Sequence, residues 1–239
     1  MSALPTLGRS LAVFVLPSLA WAADPDDISQ CEPIYDAHLG DCSITRVESC
    51  LLAGTQVVRY SHFAADVDDD YVEITNDSGD VLLIKYNDTG YLPVSIIDPL
   101  SLDDLVSNGV ERLEDHAYYS MPVFVDPLAA VTVELVEHHN EYVEIGGISF
   151  LTAVSTVSVA FDDIALRMDG EINWFIDLEN NVVIEGEARI GMQGTFIEVG
   201  GDPIDIIRPN ADAIRGGRPE SNCGAYSLLT VYPSLRMES

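Results

Sequence analysis

The chain has 239 residues and carries 40 Asp and Glu against 11 Lys and Arg, a formal net charge of −29. That balance excludes nucleic acid and other polyanions as partners, because neutralising phosphates takes clustered cations and the few basic residues here are scattered, with Lys85 the single lysine. A surplus of this size keeps a protein soluble at the cost of self-repulsion, and suits either a saline environment or the binding of cations.

Residues 1–22 have the form of a secretory signal peptide. Arg9 precedes the apolar run 11–19, and the small residues Ala20 and Ala22 flank Trp21 before the acidic Asp24. The run is shorter than the roughly 18 to 20 residues a spanning helix requires, and no later stretch is long and apolar enough for a transmembrane helix. Residues 23–239 then form a single β-rich domain, with 23–30 a flexible acidic leader.

Four cysteines, Cys31, Cys42, Cys50 and Cys223, stay with the exported chain. An even count in an oxidising compartment predicts two disulfides, with three connectivities open; if all four are oxidised, one of the first three joins the chain ends through Cys223. No Cys-x-x-Cys pair supports zinc.

In chain order, Ser43 as N-cap with Ile44, Val47 and Leu51 on one face predicts a short helix over 43–52. Strands follow at 56–63, 71–75, 81–86 and 92–97, separated by turn-rich runs. The acidic knot Asp66, Asp68, Asp69, Asp70, with Glu73 beyond it, is the candidate metal site. Calcium takes six to eight hard oxygen ligands, and Asp66, Asp68, Asp70 and Glu73 offer alternating carboxylates, although Tyr71 stands where an EF-hand loop needs glycine.

A helix begins after Ser101, with acids in its first turn and Leu102, Leu105, Val106, Val110 and Leu113 sharing a face; Asn108-Gly109 interrupts it. Further strands are predicted at 121–125, 131–136, 141–151 and 156–161. Between the second and third, Glu137-His138-His139-Asn140-Glu141 reads as a polar hairpin tip rather than a metal site, because adjacent residues of a strand point to opposite faces.

From 164 to 196 apolar or small residues occupy even positions, among them Trp174, Ile176 and Ile184, while odd positions such as Glu185 are mostly polar. Period-two alternation predicts an antiparallel meander with one dry and one wet face, turning through three-residue connectors at 169–171, 179–181 and 193–195. Trp174 then belongs to the core. A short strand at 204–207, an Arg-bearing loop with Arg208, Arg215 and Arg218 paired to the protein's own acids, and a last strand at 225–232 complete the chain.

About ten strands at this spacing make an all-β fold, an antiparallel meander forming a β-sandwich or closed barrel with one or two short helices. Nucleophile-elbow, metalloprotease and phosphate-loop motifs are absent, and with 40 acids a pair at hydrolytic separation carries no weight. The sequence therefore reads as an exported, non-enzymatic protein of the periplasm, cell surface or medium, structural or ligand-binding, with calcium as the candidate cofactor and an unknown protein or small molecule as partner. Its rivals are a secreted carboxylate-dependent hydrolase and an outer-membrane β-barrel whose apolar face meets lipid.

Signal peptidase should cut after Ala22, immediately past the Ala-x-Ala pattern. The intact mass of the exported protein checks this, and retention of residues 1–22 would contradict it.

Overall fold

The computed structural model describes residues 28–64, 70–86, 89–120, 128–162, 164, 166–192 and 194–208. The elements are β1 (Ile28–Leu39), β2 (Ile44–Leu52), β3 (Thr55–Phe63), β4 (Tyr71–Thr75), β5 (Val81–Tyr86), β6 (Thr89–Asp98), α1 (Leu102–Asn108), β7 (Val110–Ser120), β8 (Leu128–Ile145), β9 (Ile148–Phe161), β10 (Arg167–Asp177), β11 (Val182–Met192), β12 (Thr195–Val199) and β13 (Pro203–Ile207). Each strand from β1 to β12 pairs antiparallel with its successor, and β13 returns to β1. The fold is thus all-β, an antiparallel meander as the alternation predicts, with β12 and β13 as the two ends of the ladder.

The ladder folds over itself. Tyr35, Ala37, Val47, Val58 and Tyr60 from β1 to β3 pack against Phe150, Phe175, Val182 and Ile184 from β9 to β11. On the opposite face of those same later strands, Leu151, Ala153, Trp174 and Ile176 pack beneath Leu100, Leu102 and Leu105. Both faces of β9 and β10 are dry here, which corrects the expectation of one wet face, since Phe175 is buried beside Trp174 and Asp177 beside Ile176; β11 keeps the alternation, with Val182, Ile184 and Ala188 buried and Glu185, Glu187 and Arg189 exposed.

Helix α1 is positioned by its ends. Ser101 accepts the Asp104 N–H with its hydroxyl at 3.1 Å, and Gly109, in the left-handed region at φ 80°, donates its N–H to the Leu105 carbonyl. Gly109 stops the helix before Val110 and Leu113, which the helical periodicity had placed on it and which lie in β7 instead. The preceding Leu100 reaches back to the β4–β5 turn, where its Cδ2 would stand 2.7 Å from a Cβ at Gly79, so only glycine fits.

Four further expectations are overturned. Residues 43–52 are strand β2, because Asp41 rather than a helix takes the Ser43 N–H and hydroxyl, and β-branched Ile44, Thr45 and Val47 pair with β3. The acidic leader ends before Ile28, where β1 begins. Residues 137–141 are not a tip: β8 runs through them with a bulge between His138 and Tyr142, and the hairpin turns at Gly146-Gly147. Residues 169–171 lie within β10, where Gly170 pairs with both Val157 and Ile190. The other two connectors miss by one residue each. Asp177 pairs with Val182, its carboxylate accepting the N–H groups of Glu179 and Asn180, and Met192 pairs with Thr195.

Cys31 and Cys50 are joined, tying β1 to β2, a closure worth roughly 3 kcal/mol on chain-entropy grounds. Cys42 is also oxidised; Cys223, the predicted staple, lies outside the described residues, as do the signal peptide and the predicted strands 121–125 and 225–232.

Leu105 is fully buried where α1 meets the Trp174 side of the sheet. Leu105→Ala should lower unfolding free energy by about 2–5 kcal/mol, against about 1 kcal/mol for Ser101→Ala, read from denaturant midpoints.

Candidate functional site

Residues directly opposite in an antiparallel pair share a face. The register places Tyr60 opposite Glu73, Glu73 opposite Ile84, Leu113 opposite Glu134, Glu134 opposite Val157 and Trp174 opposite Glu185. All of these side chains line one cavity of about 200 Å³. The Tyr60 hydroxyl accepts the Val183 N–H at 3.2 Å, linking β3 to β11 across residues 123 positions apart in sequence.

The lining is acidic throughout. Among its 19 residues seven are Asp or Glu and none is Lys, Arg or His. Three carboxyl groups form the heart of the site. Glu73 is held well above the usual carboxylate range by burial, reinforced by the charges of Glu185 and Glu134. Burial likewise pushes Glu134 up to about 7, opposed by the hydrogen bond that the Ser155 hydroxyl donates to it and aided by Glu185 and Asp115. Glu185 is raised by desolvation as well, although its side chain keeps exposed surface.

Among the described residues no Lys, Arg or His lines the cavity, and Arg112 pairs with two of its acids, Asp98 and Glu114. His62 Nε2 lies 3.9 Å from a Glu73 oxygen, yet burial pushes His62 down to about 3, so at neutral pH it is an uncharged ring, stacked on Tyr71 at 3.9 Å and hydrogen-bonded through Nδ1 to the Thr45 hydroxyl at 2.9 Å. Trp174, 6% exposed, forms part of the wall, and its indole N–H has no acceptor among the described residues. Tyr119 and Thr132 satisfy each other at 2.9 Å on the far side.

Two of the four predicted calcium ligands fall among the described residues. Glu73 turns into the cavity, Asp70 accepts the Ala64 N–H at 2.9 Å, and Asp66 and Asp68 lie outside the described residues. Among the described residues the one compact ligand-like group is Cys31, Glu48 and Cys50, whose sulfurs are already bonded to each other. His138 is a structural residue, donating from Nε2 to the Leu105 carbonyl and accepting the Asn140 N–H at Nδ1, while His139 is exposed.

Glu134 and Glu185 were invisible as site residues in the sequence. Alternation assigns a glutamate between apolar neighbours to the wet face, and these do face away from the packed core, onto the lining of the cavity. Trp174 was placed in the core correctly; that its other contact is a cavity depends on strands distant in sequence.

The titrations set a stability profile. Glu134 binds its proton more tightly folded than unfolded, so the stability it confers is present below its ordinary pKa of 4.5 and lost as pH rises through 7. His62 acts oppositely, its contribution complete above about 6.5 and lost as pH falls towards 3. Below about pH 4.5 the His62 contribution rises with pH, and above it the losses at Glu134, Glu73 and Glu185 outweigh that rise, so melting temperature should peak near pH ~4.5 and decline through ~7, and Glu134→Gln with Glu185→Gln should flatten that decline. Scanning calorimetry across this range checks it; an undiminished slope in the double variant would contradict the assignment.

No family model, curated protein or solved structure matches this chain.

Proposed function

We propose that this is an exported, non-enzymatic binding protein that takes a small ligand into the cavity between β3 and β11. The observation that carries the reading is the cavity itself: a concave space with aliphatic walls at Ile84, Leu113, Val157 and Ile172 and polar groups converging on it. Export is supported by the Cys31–Cys50 disulfide, since such bonds persist in oxidising compartments.

Hydrolysis is the weaker reading for a physical reason. Acid–base chemistry by two carboxyl groups requires one held protonated and its partner held ionised, and environments that push their pKa values apart. Glu73, Glu134 and Glu185 are all pushed in the same direction. Against a lipid-facing barrel stands the exposed ion pair of Arg167 and Asp169 on β10.

Native mass spectrometry of protein purified from its source should show a retained small-molecule mass, absent from Val157→Trp protein, in which the indole fills the cavity. Identical ligand-free spectra for both would reject the binding reading, and conversion of the retained molecule over time would favour the hydrolase.

A further inference from the structure

We propose that the C-terminal segment 225–232 is the strand that covers the open edge of β12, tied to the β1–β2 turn by a disulfide between Cys42 and Cys223. This pairing is independent of the cavity and of what enters it.

Cysteine arithmetic names the bond. Of the four cysteines, Cys31 and Cys50 are joined to each other, and Cys42 is oxidised as well. Within one chain the partner that remains for Cys42 is Cys223, outside the described residues. Reach presents no obstacle. Ile207, at the end of β13, lies opposite Asp36, roughly 20 Å of strand from Cys42, while the 15 residues 209–223 extend to about 50 Å.

The bond fixes where the segment begins. Cys42 lies in the turn after β1, and that turn is seated on the link between β12 and β13: Gly40 donates its N–H to the Asp202 carbonyl at 3.0 Å, and a Cβ at Gly201 would stand 2.6 Å from the Asp41 nitrogen. Chain leaving Cys223 therefore starts beside the Val199 end of β12 and the Pro203 end of β13. Each of these strands has one edge unpaired among the described residues.

Direction and chemistry choose β12. A strand running from that end along β12 is antiparallel to it, as β12 is to β11, whereas along β13 it would be parallel, the slightly less stable pairing. The edge of β13 is blunted by Pro203, which has no N–H, and by Asp205. The strand β12 contains neither lysine nor proline, and all five of its residues are exposed.

The uncovered face of β12 continues a core face. Ile197 and Val199 lie opposite Ile190 and Ala188, on the side of the sheet where Met168, opposite Met192, packs with Val159 and Phe161. Yet Ile197 is 53% exposed and Val199 38%. An apolar edge left in water is a template for pairing with another chain, so natural sheets cover it. The segment Ala225-Tyr226-Ser227-Leu228-Leu229-Thr230-Val231-Tyr232 has the composition for this: it is uncharged in a strongly acidic chain, rich in strand-forming residues, and bounded by Gly224 and Pro233.

The test uses the exported protein without reductant. Peptide mapping should yield a linked pair containing Cys42 and Cys223. Cys223 found as a free thiol, or Cys42 linked to a second chain in a dimer on a non-reducing gel, would overturn the tie. Hydrogen–deuterium exchange read by mass spectrometry should show 225–232 protected about tenfold or more over a free peptide of the same sequence. Removing 225–239 while keeping Cys223 should speed exchange at 195–199 by about tenfold or more and leave β8 and β9 unchanged, and adding the synthetic peptide 225–233 should reverse it. Leu228→Pro and Leu229→Pro guard against a truncated chain that fails to fold. Adjacent N–H groups of a strand point to opposite sides, so one of the two removes a donor facing β12 and should loosen 195–199 with the disulfide intact. Exchange at 225–232 as fast as in the free peptide, or exchange at 195–199 unchanged in all the variants, would reject the strand. Protection of 195–199 that vanishes on dilution together with a dimer mass would assign the edge to a second copy and overturn the proposal.

Discussion

The structure depends on one constraint: a meander this long can bury its apolar faces only by curling until its first strands meet its last. The hydrogen bond from the Val183 N–H to the Tyr60 hydroxyl marks where they meet. On one side of that contact Tyr35, Val58 and Tyr60 lie against Phe175, Val182 and Ile184. On the other, the space left between the strands is too wide for side chains to fill, and it becomes the cavity. Antiparallel sheets that close or nearly close leave either a packed interior or room for one small ligand, depending on the bulk of the inward residues.

What occupies that interior is unusual in its polarity. A buried carboxylate is costly enough that burial favours its protonated form, and burial pushes Glu73 and Glu134 in that direction. Retaining three such groups in one cavity weakens the empty protein. Apolar residues of similar volume would have packed there without this cost. Helix α1 lies over the Trp174 end of the same space, so the packing of Leu102 and Leu105 on Trp174 and Ile176 bears directly on the shape of the wall.

The disulfide and the short turns serve the ladder rather than the cavity. Cys31–Cys50 fastens β1 to β2 at a point where the register is irregular, and Asp177 caps the β10–β11 turn with hydrogen bonds to three groups of the loop. These local devices hold strand ends whose register decides which face each side chain takes. A slip of one residue between β10 and β11 would exchange Glu185 for Ile184 on the cavity wall.

The sequence by itself determined what local physics controls: the all-β class from alternation, strands β4 and β5 to the residue, and α1 with its Ser101 cap, because each depends on neighbours within a few positions. It misassigned 43–52 and 137–141 because a helical spacing of three apolar residues, and a polar run inside a strand, were outweighed by pairing with partners the local pattern does not contain. The cavity was beyond its reach for the same reason carried further. Glu73, Glu134 and Glu185 each look like solvated strand residues, and Trp174 like core; only the curl of the sheet brings the three glutamates from β4, β8 and β11 into one cavity with Trp174 of β10. Burial of a side chain is a property of everything around it, and here what surrounds it arrives from strands up to a hundred or more residues away.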